Sequence, residues 1–422
     1  MKLYSSNESY KLYQGNMLDM LDVIESNSID SIITDPPYEL NFMSKGWDNA
    51  GVSFQVDTWK KCYEVLKPGG YLLAFGGSRT FHRIACAIED AGFEIRDTIM
   101  WIYGMGFPKS MNIGLALDKK NGVESEVIGT QVVPDIRGDA FGTMNEKQGG
   151  SYNNITREIK KATNEWQGWG TALKPSFEPI IVARKPFKGS LVDNVIKNGV
   201  GGINIDECRV ETNDKNDDLF RDRIGGWKSE YVGGEKKNNI IFNNENKGRF
   251  PANTILTYDE TDFDEVCGGF PNTKSGIAVR HNSGGNTFGG NNKKPPMEDL
   301  GYNDSGSASR YFYNAKASKK DRDCNGTIRN IHPTCKPCNL MQYLVRLVTP
   351  NNGIILDPFN GSGSTGKAVI YENKERNKNY KYIGIELTEE YLPISKARIE
   401  YVCKLAEEEK NKERQLSIYD LQ

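Results

Sequence analysis

The 422-residue chain carries 54 basic and 56 acidic side chains, a formal net charge of -2, and is 37% hydrophobic. Its length accommodates two domains, one with a full doubly wound sheet, and its near-neutral charge excludes a uniformly basic nucleic-acid binder, so contacts to a polyanion have to come from local patches. It shows neither an apolar run of 18 residues nor a signal-peptide core at its start, so a soluble cytoplasmic protein is expected, with its eight scattered cysteines as thiols.

Ile29-Asp30-Ser31-Ile32-Ile33-Thr34 reads as a buried strand that runs into Asp35-Pro36-Pro37-Tyr38. A carboxylate, two rigid prolines and an aromatic face at a strand end make a pocket suited to a planar ring bearing an amine. Asp57 to Lys67 has helical spacing and is expected to stop at Pro68-Gly69-Gly70, after which Tyr71 to Phe75 is a buried strand. Thr80 to Ala91 follows as an amphipathic helix with Phe81, Ile84, Ala85 and Ile88 on one face, and Phe93 to Trp101 returns as a strand. This βαβα rhythm predicts a parallel sheet with helices on both faces.

Residues 103–170 break the rhythm with a weakly patterned stretch. It resumes at Glu178 to Arg184, a strand followed by Lys185-Pro186-Phe187-Lys188. From 189 to 330 the chain is rich in Asn and Gly, with short apolar runs at 250–258 and 311–314. Near its end Arg310, Lys316, Lys319, Lys320, Arg322 and Arg329 are interleaved with Tyr311, Phe312 and Tyr313. Basic groups among aromatics suit phosphate and base contacts, while a solvated basic loop is the plainer reading.

His332-Pro333-Thr334-Cys335-Lys336-Pro337 precedes an apolar helix over Leu340 to Val348. Gly353 to Asp357 is then a strand that enters the glycine-rich turn Pro358-Phe359-Asn360-Gly361-Ser362-Gly363-Ser364-Thr365-Gly366, with a helix from Lys367 to Glu372. Glycines let backbone approach a ligand closely, and a helix start offers free N–H groups. Tyr382 to Glu386 reads as the next strand, its terminal acid placed to suit a ribose diol. A dinucleotide fingerprint fits Gly361, Gly363, Gly366 and Glu386, but it leaves Asp35 to Tyr38 unexplained. A P-loop reading fails because Ala368 stands where a Ser or Thr would hold magnesium. His332, Cys335 and Cys338, with Cys324, have the makings of a metal site, yet no second CxxC completes a zinc pattern and no metal is expected.

In this order (Asp-Pro-Pro-Tyr, a long variable middle, HPTxKP, then DPFxGSGST) the chain resembles the beta class of DNA amino-methyltransferases, a circularly permuted arrangement. The likeness covers about residues 10–110 and 330–400. It extends to phage and prophage-encoded members through Asn41 to Asp48 and Gly106 to Ser110. The resemblance implies an α/β fold with a doubly wound, mixed but mostly parallel sheet. Residues 1–188 would form a catalytic half with an irregular insertion at 103–170, residues 189–330 the target-recognition region, and 331–422 the half that binds S-adenosylmethionine. It implies methyl transfer to the exocyclic amine of a base flipped out of double-stranded DNA, with Asp35, Pro36, Pro37 and Tyr38 as catalytic residues. Thr334 and Lys336 would hold the carboxylate of the cofactor. Asp357 and Phe359 to Gly363, including Gly361 and Ser362, would surround its methionine end, Glu386 its ribose, and Pro358 and Ser364 would also bind the cofactor. Asn16 stands where relatives often have Asp near the cofactor adenine. Ser44, Lys45 and Trp47, with Arg310, Lys316, Lys319 and Lys320, are the expected DNA contacts. A homodimer and a restriction endonuclease partner are both compatible with this family.

The resemblance implies adenine N6 as the target, since adenine enzymes of the family usually carry Asp at the first motif position, here Asp35, and cytosine-amine enzymes Ser; cytosine N4 is the alternative. Three other classes compete. An oxidoreductase would need a proton relay from His82, His281 or His332. A cytosine-ring methyltransferase would need Pro337-Cys338 as its nucleophile. A silent DNA-binding module would leave Asp35, Asp357 and Glu386 without a role.

Overall fold

The computed structural model describes residues 2–39, 51–104, 110–134, 154–211, 248–257, 270–274, 279–280, 297–298, 305–315, 321–332 and 334–419. In chain order the strands and helices are β1 (Lys2–Ser6), β2 (Tyr10–Gln14), α1 (Met17–Leu21), β3 (Ile29–Thr34), α2 (Val56–Val65), β4 (Leu66–Phe75), α3 (Phe81–Asp90), β5 (Glu94–Tyr103), α4 (Ile113–Asn121), β6 (Glu126–Pro134), β7 (Asn154–Lys161), β8 (Phe177–Arg184), α5 (Leu191–Asn198) and β9 (Thr254–Thr257). They continue with β10 (Asn272–Lys274), β11 (Val279–Arg280), β12 (Met297–Glu298), β13 (Ser305–Ser307), β14 (Tyr313–Asn314), α6 (Cys338–Val348), β15 (Ile354–Asp357), α7 (Ser364–Arg376), β16 (Lys381–Glu386) and α8 (Leu392–Tyr419).

The chain divides into two compact units, one of residues 1–104 and 177–422, the other of residues 105–176. The larger is built on a ten-stranded sheet in the order β1-β2-β16-β15-β3-β4-β8-β5-β9-β14. Every strand runs the same way except β1 and β8, each antiparallel to its neighbours. The sheet is therefore mixed and mostly parallel.

Strand side chains alternate between faces, so each interior strand feeds two cores. Ile33, Leu73, Val182 and Ile355 pack on one face with Leu340, Met341 and Leu344 of α6, Val369 of α7 and Ile399 of α8. Their neighbours Ile32, Leu72, Ile181 and Leu356 pack on the other with Met17 and Met20 of α1, Trp59 and Cys62 of α2, and Ile84 and Ile88 of α3. Helices on both faces make the sheet doubly wound, as the βαβα rhythm predicts. Near the middle of the sheet, all six residues of β3 are buried.

One local expectation is corrected. Pro68-Gly69-Gly70 does not end a helix; α2 stops at Val65 and these residues lie inside β4. The glycine N–H and C=O groups are taken up across the sheet, Gly69 donating to Lys185 O at 2.9 Å and Gly70 O accepting from Lys185 N at 3.0 Å. Gly69 has φ +86, and a Cβ there would lie 2.1 Å from Asn194 Nδ2, so only glycine fits.

The smaller unit holds α4 and the β6–β7 hairpin. Asn112 caps α4 by accepting from Leu115 N at 3.0 Å, and Gly122 ends it in the left-handed conformation. The buried Asp118 ties helix to hairpin by accepting from Thr163 N at 2.9 Å and Asn164 Nδ2 at 2.6 Å. Weak sequence patterning here has a physical cause: Val127, Ile128, Val132 and Ile159 of the hairpin are exposed, so alternation has no core to satisfy.

Candidate active site at the carboxyl edge of the sheet

Two connections leave the adjacent strands β15 and β3 in opposite directions: β15 leads through α7 to β16 on one side, β3 to β4 on the other. Such a reversal opens a crevice at the strands' carboxyl ends, where ligands of open α/β sheets bind. Asp35 to Tyr38 leave β3 at this edge, and Asp357 to Gly363 leave β15 beside them. The topology therefore brings together the two motifs that are more than 300 residues apart in sequence.

Asp35 stands at the centre of a polar cluster. Its Oδ2 accepts from Lys336 Nζ at 2.6 Å and its Oδ1 from Tyr38 Oη at 2.8 Å. Tyr38 Oη is also 2.7 Å from Glu178 Oε2, so its single proton faces two carboxylates. Lys336 Nζ is 3.1 Å from Tyr38 Oη and 3.2 Å from Glu178 Oε2, and Tyr103 Oη donates to Glu178 Oε1 at 3.1 Å. The ammonium lies 4.8 Å from the centre of the Phe75 ring, 5.3 Å from Tyr38 and 6.0 Å from Trp101, all within cation–π range. Burial alone would discharge Lys336, but the Asp35 and Glu178 carboxylates outweigh it and hold the ammonium above its ordinary range. Burial, with the same two acids, pushes the Tyr38 phenol well up, so it remains a donor. Pro36 is buried, Pro37 is half-buried, and Thr80 Oγ1 fixes the turn by donating to Tyr38 O at 2.8 Å.

The glycine-rich turn is held from three sides. Asp357, 3% exposed, accepts from Thr34 Oγ1 at 2.7 Å, Thr365 Oγ1 at 2.6 Å and Phe359 N at 3.1 Å. Burial pushes its carboxyl up to about 6 despite these donors. Pro358 is buried, and the Phe359 ring is tilted against Trp59 with centroids 6.5 Å apart. Gly361 (φ +50) and Gly363 (φ +73) take the left-handed conformation, and a Cβ on Gly363 would lie 2.4 Å from Ser395 Oγ. From beneath, the fully buried Arg398 donates through Nη1 to Ser362 O at 2.8 Å, Ser362 Oγ at 2.9 Å and Ser364 Oγ at 3.0 Å. Glu386 accepts from Gly361 N at 2.6 Å and Thr388 N at 2.7 Å, and burial raises its carboxyl. Asn16 is exposed beside the end of β16; it caps α1, its Oδ1 accepting from Leu18 N at 3.0 Å.

Lys336, expected at a cofactor carboxylate, is thus bound to Asp35, while Thr334 is exposed two residues before it. Glu178 was not singled out in the sequence, nor were Tyr103, Thr34 and Arg398. The available signal was an acid directly ahead of an apolar strand that topology sends to the same edge. Arg310, expected at phosphates, binds Thr273 Oγ1 at 2.9 Å, Ser307 O at 2.9 Å and Tyr311 Oη at 2.7 Å. Ser44, Lys45, Trp47, Lys316, Lys319 and Lys320 lie outside the described residues, as do Asn41 to Asp48 and Gly106 to Lys109.

Cys338, the nucleophile that a cytosine-ring enzyme would need, opens α6 and is buried, and burial pushes its thiol up, away from a reactive thiolate. Among the described residues no group of three or more His, Cys, Asp or Glu could hold a metal ion, and no helix is long and apolar enough to cross a membrane.

A family model described as DNA methylase, for N6 and N4 methyltransferases, matches residues 29–397. The chain belongs to that family. This DNA methylase is 22% identical over 417 residues to the type II methyltransferase M.HindIII of Haemophilus influenzae, a match covering 89% of this chain and 90% of that one. It is 35% identical over 106 residues to the type II methyltransferase M.HpaI of Haemophilus parainfluenzae, covering 24% of this chain and 34% of that protein. Among solved structures, PvuII DNA methyltransferase (cytosine-N4-specific) aligns with a TM-score of 0.42 at 13% identity, covering 96% of this chain and 95% of that one. The M1.HpyAVI–SAM complex aligns with a TM-score of 0.35 at 16% identity, covering 92% of this chain and 99% of that one.

Proposed function

We propose that this DNA methylase transfers a methyl group from S-adenosylmethionine to N6 of adenine in double-stranded DNA, at a specific sequence and on a flipped base, and that it is of the permuted beta class. The observation that carries the reading is the placement of Asp35 at the end of β3, directly beside the glycine-rich turn that follows β15. The acceptor of an amine and the cradle of a nucleotide-like donor then share one crevice. The order of the two halves along the chain, Asp35 before Asp357, supports the permuted class.

The residues of the second half fit the cofactor. Gly361 and Gly363 present bare backbone, and the Glu386 carboxylate beside them is an acceptor of the kind a ribose diol needs. Asn16 and Thr334 are exposed near the same edge. When bound, S-adenosylmethionine supplies an electrophilic methyl group.

The chain's own contribution is to prepare the amine. An exocyclic amine is a poor nucleophile because its lone pair is delocalised into the ring. Asp35 and the Pro36 carbonyl, each accepting one of its hydrogens, favour the pyramidal form and free that lone pair. No covalent enzyme intermediate is needed, and holding donor and acceptor in line supplies much of the rate. Flipping the base costs a few kcal/mol, and stacking on Tyr38 returns about 1 to 3 kcal/mol. Sequence recognition is assigned to residues 189–330, and adenine over cytosine to the Asp at position 35.

The test is direct. DNA methylated by the purified protein is digested to nucleosides and analysed by mass spectrometry, with N6-methyladenine expected. N4-methylcytosine without N6-methyladenine would overturn the choice of base, and no methylated nucleoside at all would overturn the reading.

A further inference from the structure

Lys336 engages the same Asp35 carboxylate that the target amine needs, and so competes with the amine for it. Lys336 is 7% exposed, and its ammonium, 2.6 Å from Asp35 Oδ2, is closed in by Tyr38, Phe75 and Trp101. A neutral amine competes poorly with a charged donor for a carboxylate, since charge-assisted hydrogen bonds are roughly twice as strong. If Asp35 were the only counter-ion, displacing the lysine would also leave a buried charge unpaired. Glu178 changes that balance. Its Oε2 is already 3.2 Å from Lys336 Nζ, and Tyr38 Oη bridges the two acids at 2.8 and 2.7 Å. Tyr103 holds its other oxygen at 3.1 Å.

We propose that Glu178 is a positioning residue of the methyl-transfer reaction: it takes over Lys336 when the base amine binds Asp35, so that Asp35 can serve the amine while the buried ammonium stays paired. The exchange needs no large movement, because the second carboxylate already shares the ammonium with the first. Both acids already contact the lysine and the tyrosine, so either can hold the ammonium while the other serves a different partner. The inference rests on the assignment of Asp35 as the acceptor of the amine.

A double-mutant cycle on the full-length protein tests it. Single-turnover methyl transfer to DNA is measured for the wild type, Glu178→Gln, Lys336→Met and the double variant, with S-adenosylmethionine affinity measured alongside. Glu178→Gln is expected to slow transfer by roughly tenfold or more with cofactor affinity little changed, since the hand-over acts on the transfer step. The double variant is expected to be no slower than Lys336→Met alone, because Glu178 matters only while the ammonium is present. Glu178→Asp, which keeps the charge, is expected to recover part of the rate. If Glu178→Gln does not fold, Tyr103→Phe loosens the same carboxylate and is expected to slow transfer only when Lys336 is present. Wild-type rates in Glu178→Gln, or losses that multiply in the double variant, would overturn the proposal while leaving the assigned function standing. Full activity in Asp35→Ala would instead remove the reading on which it rests.

Discussion

Thr34 Oγ1, the last side chain of β3, donates to Asp357 Oδ1, at the end of β15, at 2.7 Å. This bond joins the strand that carries the amine site to the strand that carries the glycine-rich turn. Thr34→Val keeps the shape and removes the donor, which is expected to cost about 1 to 3 kcal/mol of stability, the usual penalty for an under-satisfied buried group. The loss should depend on pH. Asp357 has a folded-state pKa of about 6, above its unfolded value, so its ionisation opposes folding and stability falls as pH rises through that window. Losing a donor raises the folded value further. Urea unfolding should therefore show a larger deficit for Thr34→Val at pH 8 than at pH 5.

Asp35→Ala is expected to abolish methyl transfer while S-adenosylmethionine still binds, because the carboxylate acts on the amine and not on the sulfonium. Isothermal titration with the cofactor, run beside a methylation assay, separates the two effects. Loss of cofactor binding in this variant would count against the division of labour between the two strand ends.

Glu386→Ala should weaken S-adenosylmethionine binding by about 1 to 3 kcal/mol, the scale of hydrogen bonds made by a charged group. Part of that loss would come through Gly361, whose N–H the carboxylate holds at 2.6 Å. Glu386→Gln keeps an acceptor for this N–H and should lose less. Equal affinity in all three proteins by calorimetry would move the ribose contact elsewhere.

His332 is buried beneath Gly361 and against Tyr391, and burial, aided by the nearby Arg398 cation, lowers its pKa to about 4. Its neutral form is the one that fits. The stability tied to it is complete above the unfolded value near 6.5 and is lost as pH falls from there toward 4. This runs opposite to Asp357 over much of the same range. His332→Gln removes one of the two opposing terms, so the stability difference between wild type and variant should shrink steadily from pH 7 to pH 4.5 in urea titrations. A constant difference would mean that the imidazole titrates as it does in the unfolded chain.

What could be read from the sequence was what is local. Asp35 to Tyr38 and Asp357 to Gly363 each announce a strand end and a special turn within a few residues, and strand burial on two faces is visible in doublets such as Ile32-Ile33 and Leu72-Leu73. Glu178 was not legible, because nothing near it shows that β8 runs against its neighbours and so delivers its first residues, not its last, to the site. Nor does a motif show that Asp357 and Glu386 bind Thr34, Thr365, Gly361 and Thr388, contacts that depend on how the loops close. Pro68 to Gly70 misled for a related reason: turn residues look alike whether they end a helix or, as here, complete a strand whose partner lies more than 100 residues away.

The reversed course of β8 also makes it one arm of a hairpin with β5, in which Ile102 faces Phe177 and the connection is residues 104–176. The ends of that connection are pinned about 4.8 Å apart by the strand pair itself, whatever lies between them. Chain can therefore be gained or lost at this point over evolutionary time while Glu178, one residue beyond the join, keeps its place.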